Sequence, residues 1–186
     1  MKGLTLSILL MLHLCSYPQG VFSNDTNTAL QEVLNDFPNK FKSLKGALIN
    51  EDPQSADYSS KVTIPGSLNA VITRYSASSD KEIYSWKCTL LASDEFDEAA
   101  GKYKSVFNEL KNSIIKIAGQ KPFILNGSFN SPTEEKRFIS SALQLLPAAS
   151  GELAGVKVEL TMEYLVTEWK ISILVYDEGE ESLVMD

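Results

Sequence analysis

Val156-Lys157-Val158-Glu159-Leu160-Thr161-Met162-Glu163-Tyr164-Leu165-Val166, joined by Thr167-Glu168 to Trp169-Lys170-Ile171-Ser172-Ile173-Leu174-Val175, is the stretch that decides the fold. In its first half Val156, Val158, Leu160, Met162, Tyr164 and Val166 alternate with Lys157, Glu159, Thr161 and Glu163. In its second half Trp169, Ile171, Ile173 and Val175 alternate with Lys170 and Ser172. Successive side chains of a strand point to opposite faces, so strict alternation predicts a hairpin with one buried and one wet face.

Further strands are expected upstream. Residues 61–64, 68–75 and 83–91 are rich in β-branched and aromatic side chains, with Pro65-Gly66 and the polar 76–81 as turns. Residues 122–129 read as another strand, and 51–60, polar and containing Pro53, as a loop. Two readings stay open for 131–146. Ser131-Pro132-Thr133-Glu134 fits a capping box with proline at the first helical position, yet it also fits a turn into a strand over 137–146.

Two helices are expected to cover the sheet. The clearer spans 94–118, with Phe96, Ala99, Ala100, Tyr103, Val106, Phe107, Leu110, Ile114 and Ile117 on one stripe. Ser93 or Asp94 would cap it. Acids crowd its first turn and Lys111 and Lys116 lie near its end, which complements the helix dipole. Glu98 and Lys102 are spaced for an ion pair. The other helix runs over 28–46, with Leu30, Val33, Leu34, Phe37, Phe41 and Leu44 on one side, a kink at Pro38 and a stop at Gly46. The expected fold is therefore α+β: a largely antiparallel sheet of hairpins packed on one face by a long amphipathic helix and an N-terminal helix. Trp86-Lys87-Cys88-Thr89-Leu90-Leu91 is echoed by Trp169-Lys170-Ile171-Ser172-Ile173-Leu174, which suits either a duplicated helix–hairpin unit or two similar amphipathic strands.

The N-terminus has the layout of a secretory signal: Lys2, an apolar run over 4–14, then smaller residues. Val21-Phe22-Ser23 offers small side chains at the last and third-last positions of a cleavage site, so residues 1–23 are expected to be removed. Residues 24–186 then form one domain, with 177–186 as a frayed tail bearing five acids and no base. Bulky Leu14 before Cys15 disfavours a lipid anchor, and no later stretch is long and apolar enough to span a membrane as a helix. The expected location is extracellular or periplasmic.

Cleavage removes His13, Cys15 and Lys2, leaving no histidine, one cysteine (Cys88), and sixteen basic against twenty-four acidic side chains, a net charge of −8. Such a chain repels phosphate backbones, so nucleic acid is not an expected partner. Imidazole-dependent nucleophilic catalysis is excluded, and a transition-metal site built on His and Cys has no ligands. Phosphate-loop and EF-hand spacings are absent, so no cofactor or metal is expected.

What remains is sparse. Cys88 shares strand parity with Trp86 and Leu90 and reads as a buried small hydrophobe. Trp86 and Trp169 are candidates for stacking on a ligand, with core packing as the plainer reading. Lys40, Lys42 and Lys45 are a candidate anion cluster, and Glu159 with Glu163 a candidate carboxylate pair. The leading expectation is a non-catalytic binding module for a protein or small molecule. The alternative is a hydrolase or lyase working through carboxylates without histidine or transition metal.

Overall fold

In a computed structural model, residues 25–76 and 82–178 are described. The proposed signal segment with Cys15, and most of the acidic tail, lie outside them. The chain is α+β, as its alternation pattern predicts. Helix α1 (Asp25–Asp36) and a 3-10 turn (Phe37–Asn39) lead into strands β1 (Lys45–Asp52), β2 (Ser55–Ser60), β3 (Asn69–Ser76) and β4 (Glu82–Ser93). Helix α2 (Phe96–Leu110) then precedes β5 (Ile114–Ile115), β6 (Phe123–Gly127), β7 (Phe138–Leu146), β8 (Val156–Leu165) and β9 (Glu168–Asp177). The nine strands form one antiparallel sheet in the order β1-β2-β3-β4-β9-β8-β7-β6-β5.

Read inward, one edge gives β1 to β4 and the other β5 to β9, four strands and five, each run preceded by a helix. The two runs meet where β4 pairs with β9, and there Thr89 stands opposite Ser172. These are the fourth residues of the two echoed hexapeptides, and the matched register continues on one side only, with Cys88 opposite Ile173 and Lys87 opposite Leu174, before an irregularity between Thr89 and Leu91 breaks it. The buried stripes of the helices match too: Leu30, Val33 and Leu34 on α1 have the spacing of Tyr103, Val106 and Phe107 on α2.

One face of the sheet is apolar because the strand alternation demands it. Ile72, Trp86, Val175 and Val158 lie in one cross-strand row and Ala70, Cys88, Ile173, Leu160 in the next, all within the core that α1 and α2 share. Cys88 is free and buried, as its parity predicts. On the opposite face Lys87 pairs with Glu163 at 2.7 Å, spanning the buried hydroxyls of Thr89, Ser172 and Thr161.

Several sequence-based boundaries need correction. The second helix stops at Leu110, not 118: Asn112 takes a left-handed conformation (φ 68°), and the chain turns into β5. Ile115 and Ile117 extend the apolar stripe only because they are buried beyond the helix, and Ile114 is exposed. Glu98 accepts a hydrogen bond from Ser93 Oγ at 2.6 Å, and the Glu95 N–H bonds the same oxygen. The first helix stops at Asp36, and Gly46 is not a helix stop but lies inside β1. A Cβ there would meet the Ser59 carbonyl oxygen at 2.9 Å as well as its hydroxyl, so the close approach of β1 to β2 requires glycine. Residues 51–60, expected as a loop, are the end of β1, the turn and the second strand of that hairpin. Conversely, 61–64 is not a strand, since Val62 spends its backbone N–H and carbonyl on Ser60 Oγ (3.2 and 2.7 Å). The open choice at 131–146 resolves as strand β7, with Ile139, Ser141, Leu143 and Leu145 buried and Phe138, Ala142, Gln144 and Leu146 exposed.

Candidate functional site

At the end of the sheet where β4 begins and β9 finishes, the 3-10 turn after α1 faces a second 3-10 turn (Gly151–Leu153). Between them lies a recess of about 190 Å³. Its walls are apolar and aromatic: Phe37, Pro38, Phe41, Ile83 and Tyr84. Its rim is charged, with Lys40, Glu82, Glu152 and Asp177. Phe41 is fully buried and meets Phe37 edge-on, ring centroids 5.7 Å apart, so the floor is part of the core.

The local sequence explains how the turn is made. Pro38 cannot extend α1 as an α-helix, and the 3-10 turn carries it. The chain then passes through two consecutive left-handed residues, Lys40 (φ 56°) and Phe41 (φ 54°), neither of them glycine. Each costs about 1–2 kcal/mol relative to ordinary helical backbone. Asp36 opposes this strain. Its carboxylate accepts the backbone N–H of Ser43 (2.9 Å) and Leu44 (3.3 Å) and the amide of Asn39 (3.0 Å). Its carbonyl accepts the Phe41 N–H at 3.1 Å.

The rim is electrically organised. Tyr84 Oη donates to Glu82 at 3.0 Å, and Arg74 donates to the other Glu82 oxygen at 3.4 Å. The bond from Tyr84, with the charges of Arg74 and Lys40, holds the Glu82 carboxyl below its usual value. Burial, followed by the Glu82 carboxylate, pushes the Tyr84 phenol up. The Lys40 ammonium stands 5.9 Å from the centroid of the Tyr84 ring, a cation–π distance. The recess thus already holds an ammonium against an aromatic face.

The residues singled out from sequence lie elsewhere, with one exception. Trp86 is fully buried and donates from Nε1 to Ser60 Oγ at 3.0 Å. Trp169 is 4% exposed, packed between Phe96 (5.3 Å) and Tyr164 (5.0 Å). Both rings are part of the core. Of the three candidate anion-binding lysines, Lys40 reaches the recess, whereas Lys45 lies 4.5 Å over the Tyr58 ring. Glu159 and Glu163 share the outer sheet face. Glu163 is committed to Lys87, and Glu159 helps push the Tyr176 phenol up to about 12, after burial. The recess residues of β4 carried no sequence signal beyond strand propensity; Pro38 and Lys40 were the visible part.

Among the described residues no three His, Cys, Asp or Glu side chains gather closely enough to hold a metal ion, and no helix is long and apolar enough to cross a membrane. Comparison with protein-family models, with curated proteins and with solved structures gives no match to this chain.

Proposed function

We propose that the chain is an exported, non-catalytic binding domain that engages its partner through the recess between Phe37 and Tyr84. The observation that carries this reading is the recess itself: an aromatic floor continuous with the core, a charged rim, and a strained turn held by Asp36. Strained non-glycine backbone costs stability and concentrates at ligand clamps.

Size and charge narrow the ligand. A volume near 190 Å³ is smaller than the roughly 300–1,000 Å³ of pockets that enclose cofactor-sized molecules. It suits one anchoring side chain or a small fragment, the way protein interfaces seat their hot-spot residues. The aromatic walls and acidic rim favour a basic head on an apolar stem, as in arginine or lysine, which would compete with Arg74 for Glu82 and with Lys40 for the Tyr84 face. The N-terminal signal layout supports export, and the mature charge of −8 disfavours nucleic acid as the partner.

The rival reading, a carboxylate-based hydrolase or lyase, calls for a carboxyl whose pKa is raised for general acid work. Among the described residues the Glu82 carboxyl is lowered, first by its bond from Tyr84, and that of Glu135 by backbone and Thr133 hydrogen bonds. A fully ionised Glu82 suits recognition of a cation. The test is affinity capture with the tagged mature chain from its own compartment, beside Ile83→Asp and Glu82→Lys variants. A partner held by the native protein and lost by both variants is expected. The same partner retained by both variants would remove the recess from the interface.

A further inference from the structure

The two edges of the sheet are treated differently. At one edge β5 is only two residues long, and side chains of α1 cover the backbone on and beyond it. Asn27 Nδ2 donates to the Ile114 carbonyl (3.4 Å) and Asn35 Nδ2 to that of Lys116 (3.2 Å). Gln31 Oε1 accepts the Lys116 N–H (3.3 Å) and Asn35 Oδ1 the Ala118 N–H (3.3 Å). Short edge strands and covering elements are how proteins keep a sheet from pairing with another.

The other edge lacks those protections. Strand β1, Lys45-Gly46-Ala47-Leu48-Ile49-Asn50-Glu51-Asp52, is eight residues long, contains no proline, and is exposed from Ala47 to Asp52. Leu48 is 52% and Ile49 60% exposed, so its apolar centre faces solvent. Its edge devices are charges confined to its ends, Lys45 and Glu51-Asp52, and a pair of irregularities in the pairing with β2, flanking Leu48.

We infer that β1 is a self-association edge, on which a second copy of this chain pairs antiparallel about a two-fold axis at Leu48. The register follows from symmetry. Pairs in an antiparallel ladder alternate between hydrogen-bonded and non-hydrogen-bonded. Two identical strands related by a two-fold axis must therefore place some residue opposite its own copy. Centring on Leu48 sets Leu48 against Leu48, Ala47 against Ile49, Gly46 against Asn50, and Lys45 against Glu51. Apolar meets apolar, and each end closes with an opposite-charge pair. Centring on Ile49 instead sets Leu48 against Asn50 and Ala47 against Glu51, and brings Lys45 opposite Pro53. Within one copy Glu51 lies 3.6 Å from Arg74 and the Lys45 ammonium 4.5 Å over the Tyr58 ring, so the end pairs across the axis form by exchange with these contacts. The pairing is short and the bulges twist it, so it buries less than the roughly 1,200 Å² of a standard interface and is weak.

Sedimentation velocity on the mature chain from about 10 μM to about 1 mM tests this, together with Leu48→Asp, Leu48→Cys and Ile49→Cys variants. The β1 side chains are exposed, so these substitutions leave the core intact. The native chain should pass from monomer to dimer across the range, and Leu48→Asp should stay monomeric. Under oxidised glutathione, Leu48→Cys should form a disulfide-linked dimer much faster than Ile49→Cys, because opposed Cα atoms in such a ladder lie within disulfide reach. A native chain monomeric throughout would overturn the proposal. So would a dimer unaffected by Leu48→Asp, or Ile49→Cys cross-linking as readily as Leu48→Cys.

Discussion

Replacing Asp36 with alanine should loosen the recess from below, and the cost can be worked from its bonds. The carboxylate accepts two backbone N–H groups and one side-chain amide. Each such bond in a solvent-reached position contributes about 0.5–1.5 kcal/mol net, which gives roughly 2–3 kcal/mol for the set. The turn it secures carries left-handed Lys40 and Phe41, about 2–4 kcal/mol of backbone strain in all. Phe41 is fully buried in the core, so the turn keeps its left-handed geometry without the carboxylate and relief of strain does not offset the lost bonds. Asp36→Ala should therefore lower stability by about 2–3 kcal/mol in urea melts followed by tryptophan fluorescence. Its companion, Lys40→Gly, removes one left-handed penalty and adds unfolded-chain entropy, so it should fall between neutral and about 1 kcal/mol more stable. An Asp36→Ala protein within about 0.5 kcal/mol of native, the range of an ordinary surface change, would refute the claim that this carboxylate holds the turn.

Three further outcomes follow from the core. Tyr103 Oη donates to Ser141 Oγ at 2.7 Å, and the Asn130 N–H also bonds that oxygen (2.9 Å). A double-mutant cycle with Tyr103→Phe and Ser141→Ala should give a coupling of about 1 kcal/mol, and strict additivity would contradict the bond. Gly127→Ala should destabilise strongly, since its Cβ would meet the Ala142 carbonyl oxygen at 2.2 Å, whereas Gly101→Ala, open on the surface of α2, should stabilise by about 0.5–1 kcal/mol. Equal effects in melts would reverse the packing assigned to β6 and α2. Finally, burial raises the phenols of Tyr84 and Tyr103, and burial with Glu159 takes Tyr176 to about 12. The folded state then holds these protons more tightly than the unfolded chain, whose phenols titrate near 10.0. Their contribution is complete below that pH and is lost as pH rises toward 12, so stability should decline over that window. Stability flat across it, in melts run at fixed ionic strength, would contradict the assignment.

Most of the sheet was legible in the sequence and the recess was not, for one physical reason. Strands with one buried face write their burial into period two, which is why β8, β9, β3, β4 and the parity of Cys88 can be read directly. β1 lies at an edge with both faces exposed and two bulges, so Gly46-Ala47-Leu48-Ile49 leaves no alternation to detect. The apolar spacing of the α2 helix continued through Ile114 and Ile117, and only the left-handed Asn112 marks the true end. Trp86 and Trp169 drew attention as large aromatics, but size alone does not separate a core ring from a ligand platform. The recess joins residues from positions 37–41, 82–84, 152 and 177, which meet only because β4 and β9 are central neighbours. Pro38 and Lys40 were visible individually; their meeting with Tyr84 was not.

The most direct test of the binding account is a solution titration of the isotope-labelled mature chain with N-acetyl-arginine amide and its neutral counterpart, N-acetyl-norleucine amide, followed by amide chemical shifts. The recess predicts saturable movement of the Lys40, Phe41, Ile83 and Tyr84 signals with the arginine compound, weaker movement with norleucine, and loss of the difference in Glu82→Gln. Absence of saturable shifts at those four residues, or shifts centred on another surface, would contradict it.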